Sequence, residues 1–325
     1  MLATSIACDG SQAFLKMYSN KMSRHSLVSV VGGVNVDISA ALTTAFVHGD
    51  SIPGNVSVGM GGVARNMAHN LVVLGHDVRF VTLFGGDSFG AMCQKQCHDI
   101  GLDLSLSEQR DGLRNGLYLC VNDQTGDMIV AVADTDIIND LTPNFLSCRI
   151  NPINQSEAVV ADANLSVDSL RYLIDHCRAP LFVDAVSTNK ALRVVEALKE
   201  SDAHRLHTLK LNRQEALVAT ESDTVEQAAA KLAEMGVEHI LVTLGAAGVL
   251  CCDGSSTLYF PSQPVDVVNT TGAGDAFLAA VVHALLRGVP FPLAAQYGQQ
   301  VARATLLTKQ SVNPEICNIP LPILS

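Results

Sequence analysis

Near the carboxyl end, Asn269-Thr270-Thr271-Gly272-Ala273-Gly274-Asp275 runs straight into the apolar stretch Ala276-Phe277-Leu278-Ala279. Glycines at 272 and 274 let the chain turn sharply into a helix, whose first N–H groups have no intrahelical acceptor. Those donors, together with the positive end of the helix dipole, favour an anion. Asp275 stands in the first turn. A carboxylate there can take a proton from an attacking hydroxyl while the N–H groups stabilise charge on the group in transit. A plain helix start, with Thr271 as cap and Asp275 complementing the dipole, explains a bare Gly-x-Gly-Asp as well; the length of the whole string favours the chemical reading.

Other clusters carry groups that such a transfer would need. Asn35 and Asp37 follow an apolar run in Gly32-Gly33-Val34-Asn35-Val36-Asp37. A carboxylate accepting two bonds from a vicinal diol discriminates against a sugar lacking one hydroxyl, although turn chemistry after a strand accounts for the same pair. In Gly59-Met60-Gly61-Gly62-Val63-Ala64-Arg65-Asn66, Gly61 and Gly62 permit close backbone approach and Asn66 offers a donor and an acceptor. A glycine turn ahead of a helix reads the same way, and Arg65 stays open between ligand contact and solvated side chain. Asn212 and Glu215 share one face of a helix start, as a capping pair also would. Lys190 and Lys210 are candidates for neutralising phosphate, with ordinary surface charge the alternative. Thr243-Leu244-Gly245-Ala246-Ala247-Gly248 joins two apolar runs; on pattern alone it is a hairpin.

Positioning these groups falls to a chain that alternates between strand and helix. The patterning predicts strands at 27–33, 78–84, 158–161, 181–184, 207–211, 239–244 and 248–252. Helices are expected at 60–74, 89–100, 170–176, 192–198, 224–235, 272–287 and 293–307. Repeated strand–helix units predict an α/β fold with a mostly parallel central sheet covered by helices on both faces. Segments 115–121 and 128–133 flank the turn-rich 122–127 as a hairpin, and with 43–58 they suggest a small antiparallel flap.

The 325 residues are 48% hydrophobic and 16% charged, enough for a large core and too apolar for a disordered chain. The formal charge of −11 disfavours a non-specific nucleic-acid binder, yet a local phosphate site made of backbone N–H groups is compatible with it. Nine Cys without a Cys-x-x-Cys pair, and ten His without metal spacing, read as reduced thiols and structural imidazoles. Absence of a Gly-x-Gly-x-x-Gly fingerprint excludes a dinucleotide-binding reading. Neither a signal peptide nor a membrane span is expected, so a cytoplasmic location is. Residues 1–25 are expected to be a poorly ordered extension ahead of one domain over 26–325.

The string from Thr270 to Phe277 resembles the C-terminal signature of the ribokinase-like (PfkB) carbohydrate kinase family. Gly59 to Asn66 resembles its second signature and Asn212-x-x-Glu215 its Asn-x-x-Glu element, all in family order. Segments 61–66, 184–190 and 207–216 are most similar to the family's pseudouridine kinases. The resemblance implies a ribokinase-like fold with a small β lid, its strands inserted at about 38–58 and 113–135. It implies ATP- and Mg²⁺-dependent transfer to the 5′-hydroxyl of a ribosyl substrate, first pseudouridine, giving pseudouridine 5′-phosphate. Inosine, cytidine, ribose or a hexose are the rivals within the class, and a non-catalytic nucleoside- or nucleotide-binding relative the rival outside it.

Carried over residue by residue, the resemblance makes Asp275 the catalytic base and the N–H groups of Gly272, Ala273 and Gly274 an anion hole. Asn35, Asp37, Gly61, Gly62 and Asn66 become substrate contacts. Lys190, Asn212, Thr243, Gly245 and Gly248 become nucleotide contacts, and Glu215 with Asn212 the partners of Mg²⁺, through water. The expected partners are a small nucleoside or sugar and ATP, with no nucleic acid, no membrane, and pairing of two chains through the lid left open. Three departures stand out. Asn269 replaces an Asp that in many relatives helps bind a monovalent cation, which leaves a K⁺ requirement open. Leu211 replaces a frequent Pro, which affects stiffness. Val132-Ala133-Asp134 replaces a more polar lid stretch, which bears on substrate identity.

Overall fold

The computed structural model describes residues 25–322, so all but the last residue of the expected 1–25 extension lies outside the described residues. The chain begins with β1 (Leu27–Val31), β2 (Asn35–Leu42), β3 (Gly54–Gly61), α1 (Val63–Val73), β4 (Asp77–Val81), β5 (Leu83–Gly85), α2 (Ser88–Asp99) and β6 (Glu108–Arg110). Next come β7 (Gly116–Asn122), β8 (Met128–Asp134), the short α3 (Pro143–Ser147) and α4 (Ile150–Ile153), β9 (Ala158–Asp162), α5 (Val167–His176) and β10 (Leu181–Asp184). The remainder is α6 (Thr188–Glu200), β11 (Leu206–Asn212), α7 (Arg213–Thr220), α8 (Val225–Glu234), β12 (Val237–Thr243), β13 (Val249–Cys252), β14 (Thr257–Phe260), α9 (Ala273–Leu286) and α10 (Phe291–Leu306).

The main sheet runs β14-β13-β12-β11-β10-β9-β1-β4, parallel from β4 to β12 and antiparallel over its last two pairings. Its parallel strands read as unbroken apolar runs because both faces are covered. Val31, Ala161, Val183 and Leu209 pack beneath α5 to α8, while Val28, Val30, Val160 and Phe182 pack against α1, α2, α9 and α10. Helix α9 is apolar on nearly every side, as a helix enclosed by neighbours must be. The ribokinase-like α/β expectation holds. β14 went unforeseen because three of its four residues are exposed and carry no burial pattern. Among the described residues no helix is long and apolar enough to cross a membrane.

A second sheet, β3-β2-β7-β8, lies apart from the first. The expected antiparallel flap is corrected here in two ways. β2 pairs with β7 in parallel, and 43–53 is the connection between β2 and β3 rather than part of a strand. Met60 and Gly61, expected in a helix, end β3, so α1 starts at Val63. Register places Val58, Ile38, Leu119 and Val132 in one cross-strand row and Val56, Ala40, Val121 and Val130 in the next. That face is apolar, yet its edge valines are exposed, Val56 by 66% and Val132 by 57%. Alternate residues, among them Asn35, Asp37, Gly116, Tyr118 and Ala133, line a cavity on the other face.

Candidate active site

A cavity of about 380 Å³ is enclosed by the inner face of the small sheet, the segments that follow β1, β4, β9 and β10, and the start of α9. Open parallel sheets place ligands at the carboxyl ends of their strands for this topological reason. Asn35 and Asp37 reach the cavity from the strand β2, not from a turn after β1. Asn35 Nδ2 donates to Asp37 Oδ1. Burial raises the Asp37 carboxyl above its ordinary range, against the opposing pull of Arg65 and Asn35. A Cβ at Gly61 would lie 2.2 Å from both carboxylate oxygens of Asp37, so only glycine leaves that side chain its place. Gly61 thus acts through Asp37, while Gly62 lines the cavity itself.

Asp275, in the first turn of α9, is buried and lines the same cavity. Its carboxyl is pushed up to about 7, chiefly by burial and further by the charge of Asp184; Lys210, the Asn66 hydrogen bond and Arg65 pull the other way. Asn66 was expected to contact substrate. It does line the cavity, and there its Nδ2 also donates to Asp275 Oδ2 at 2.7 Å and its Oδ1 accepts from Ser311 Oγ at 3.3 Å, so it holds the acid as well. Arg65 is not solvated: it is buried, donating to the carbonyls of Met60 and Gly61.

At the helix start, Gly272 has φ +84°, and a Cβ there would sit 2.0 Å from Ser311 O. Among the described residues the N–H groups of Gly272 and Gly274 have no internal acceptor, and that of Ala273 reaches Thr270 O only at 3.4 Å. Gly272 borders the first cavity. Ala273 and Gly274 border a second, of about 270 Å³, together with Thr243, Gly245 and Gly248. One helix start therefore forms a wall of both. Beneath it the buried Lys210 pairs with Asp184 at 2.9 Å. Burial alone would lower the Lys210 ammonium pKa, but Asp184, with Glu215 and Asp275, holds it above the usual value.

Lys190, expected beside the nucleotide, lines the first cavity instead. Asn212 and Glu215 close on each other as a capping box on α7: the Asn212 N–H and Nδ2 donate to the two Glu215 oxygens, at 2.7 and 2.6 Å, and Asn212 Oδ1 accepts from the Glu215 N–H. Glu215 is buried and its carboxyl pKa is raised by that burial. Neither residue lines the two cavities and their polar atoms are bonded to each other, so any hold on Mg²⁺ would run through water rather than by direct coordination. Asn269 brings no charge to this position. Its neutral amide already joins two loops, donating to Lys309 O at 3.1 Å and accepting from the Thr271 N–H at 3.0 Å.

Two acids escaped the sequence reading. Asp162, fully buried at the end of β9, accepts from the Ala64 N–H at 2.9 Å and so caps α1, whose own cap residue Gly62 has no side chain. Asp184 holds Lys210 and the Val186 N–H. Both end an apolar strand with an acid, the signal that singled out Asp37.

A model of the pfkB family carbohydrate kinases matches residues 25–316. The pseudouridine kinase of Escherichia coli (strain K12) is 30% identical over 303 residues, covering 91% of this chain and 95% of its own. The guanosine-inosine kinase of Exiguobacterium acetylicum is 29% identical over 304 residues, 89% of this chain and 97% of its own. Among solved structures, the ribokinase of Thermotoga maritima is similar with a TM-score of 0.78 at 22% identity, over 90% of this chain and 98% of its own, a likeness of fold. The chain belongs to the pfkB family of carbohydrate kinases and is an ATP-dependent kinase of sugars or nucleosides.

Proposed function

We propose that this kinase phosphorylates the 5′-hydroxyl of a ribosyl acceptor, with pseudouridine as substrate and pseudouridine 5′-phosphate as product. The observation that carries the reading is the shared wall: Gly272 and Asp275 border the acceptor cavity, and Ala273 and Gly274 border the neighbouring groove that also holds Thr243, Gly245 and Gly248. An acceptor hydroxyl beside Asp275 loses its proton to that carboxylate as its oxygen attacks the γ-phosphorus of ATP in the groove, and the bond from that phosphorus to the β–γ bridging oxygen breaks to release ADP. The helix-start N–H groups take up the charge on the transferred phosphoryl, and loss of one such donor typically costs about 10²–10³ in rate. Asn35 and Asp37 hold the ribose diol. Glu215 and Asn212 are the residues that would hold Mg²⁺ through water, and the ion would supply charge neutralisation to the phosphates. The small sheet keeps bulk water from the acceptor cavity, which limits loss of ATP to hydrolysis.

A cavity of about 380 Å³ suits a nucleoside better than a lone pentose. Support for pseudouridine over a purine nucleoside comes from the likeness to the Escherichia coli enzyme, which is only slightly greater than that to the guanosine-inosine kinase. An ATP-coupled screen of pseudouridine, uridine, inosine, cytidine, ribose and fructose tests this. Pseudouridine should give the highest kcat/KM. A higher value for inosine or for a hexose would replace the assignment. The outer face of the small sheet, by the same reading, pairs two copies of the chain.

A further inference from the structure

The acceptor cavity has a second polar cluster, which the transfer chemistry leaves unused. Asn164, after β9, and Lys190, in the first turn of α6, both line it. Lys190 Nζ donates to Asn164 Oδ1. An ammonium can only donate, so this contact fixes the orientation of the Asn164 amide; one Nδ2–H is turned toward the Asp162 carboxylate, and the other is left as a donor. The remaining Lys190 N–H donors are likewise available. Asn164 is braced from behind: its N–H donates to Asp162 Oδ1 at 2.9 Å and its carbonyl accepts from Arg193 at 3.2 Å.

The same lining carries the aliphatic side chains of Leu83, Ile137, Ile138, Leu141 and Val186, together with the carboxylates Asp37 and Asp275. Val186 has φ +65°, a conformation that a β-branched residue adopts only under constraint; its N–H is tied to Asp184 Oδ1 at 2.8 Å. One lining therefore combines hydrogen-bond acceptors, hydrogen-bond donors and aliphatic surface.

We propose that Lys190 and Asn164 read the carbonyl edge of a planar heterocycle carried on the ribose, and so determine which acceptor is used. This rests on the ribosyl reading above. The ring would lie along the aliphatic walls, with its carbonyl oxygens on the two donors. A phosphate on the acceptor is the rival partner for Lys190. A single ammonium already bonded to an amide and surrounded by aliphatic side chains supplies too few donors for a multiply charged group, whereas a carbonyl needs one or two.

The test compares kcat/KM for pseudouridine and for phenyl riboside, which keeps the carbon–carbon link to ribose and lacks carbonyls. Wild type, Lys190→Met and Asn164→Ala are measured, with a thermal melt of each. Wild type should prefer pseudouridine by about 10²-fold or more. In Lys190→Met, pseudouridine should lose about 10–100-fold, through KM, so that the preference collapses; Asn164→Ala should shift it in the same direction. Equal losses on both substrates, or no preference in wild type, would overturn the proposal. So would Lys190-dependent turnover of ribose 5-phosphate or fructose 6-phosphate. Turnover of ribosyl compounds with an unchanged preference sinks this inference alone; no turnover of any ribosyl compound sinks the ribosyl reading and this one with it.

Discussion

Asn66 and Asp275, 209 residues apart in sequence, meet at 2.7 Å with the amide donating to the carboxylate. A hydrogen bond to the charged form stabilises it, so this contact works against the burial that raises the acid. Asn66→Ala should therefore move the acid limb of the kcat/KM profile to higher pH, by about 1–2 units for a charged hydrogen bond. At neutral pH, kcat should fall by about tenfold with acceptor KM little changed. A raised acceptor KM with an unmoved limb would instead return Asn66 to the role of a substrate contact.

Asp275 itself links activity and stability in opposite senses. Its folded-state pKa of about 7 lies above the ordinary 3.8 of a free carboxyl. Between those values the folded protein holds a proton that the unfolded chain has released, so the stability this group contributes is full below about pH 4 and lost as pH rises through 7. Activity needs the ionised form and should rise over the same interval. Asp275→Asn should cut kcat by about 10²–10⁴. It should also raise Tm at pH 8 by about 2 °C or more, an advantage that shrinks toward pH 4. Near-normal turnover would contradict the base assignment, and an unchanged Tm at pH 8 would contradict the burial of a charge.

Gly61 tests the ribose contact without touching the acid. A methyl there would displace the Asp37 carboxylate, whose oxygens it would approach to 2.2 Å. Gly61→Ala should raise acceptor KM by at least about tenfold while leaving KM for ATP unchanged, because Gly61 and Asp37 lie away from the second cavity. Isothermal titration with each ligand separately checks this. Equal weakening of both ligands would mean that the small sheet as a whole had shifted.

How far the sequence could be read depended on whether a residue acts locally. The start of α9 and the glycine turn at 245–248 were legible as local structure because consecutive backbone groups set them. The α/β architecture followed from apolar runs such as 158–161 that only a doubly covered sheet explains. Asn66 resisted, since its partner is fixed by how α1 packs against α9 and not by spacing along the chain. Lys190, expected beside the nucleotide, lines the first cavity, a placement that packing decides and spacing along the chain does not. The small sheet was misread because the parallel β2–β7 pairing joins segments about 80 residues apart, and a hairpin is the pairing that local pattern suggests.

The outer face of that sheet yields the last prediction. Rows of aliphatic side chains cross all four strands, and Val56, Val58, Val130 and Val132 remain at least half open to water or close to it. Covering each valine is worth up to about 1.5 kcal/mol, so an uncharged ladder of this kind is its own best complement in a second copy. At micromolar concentration the protein should sediment as a dimer. Val58→Lys combined with Val132→Lys, two positions in one row, should give a folded monomer by adding four like charges to the paired face. Acceptor KM should rise in that monomer, because the opposite face of the same strands carries Asn35 and Asp37 and loses its support. A wild-type monomer at every concentration, or a double variant that still sediments as a dimer, would show that these valines face water by themselves.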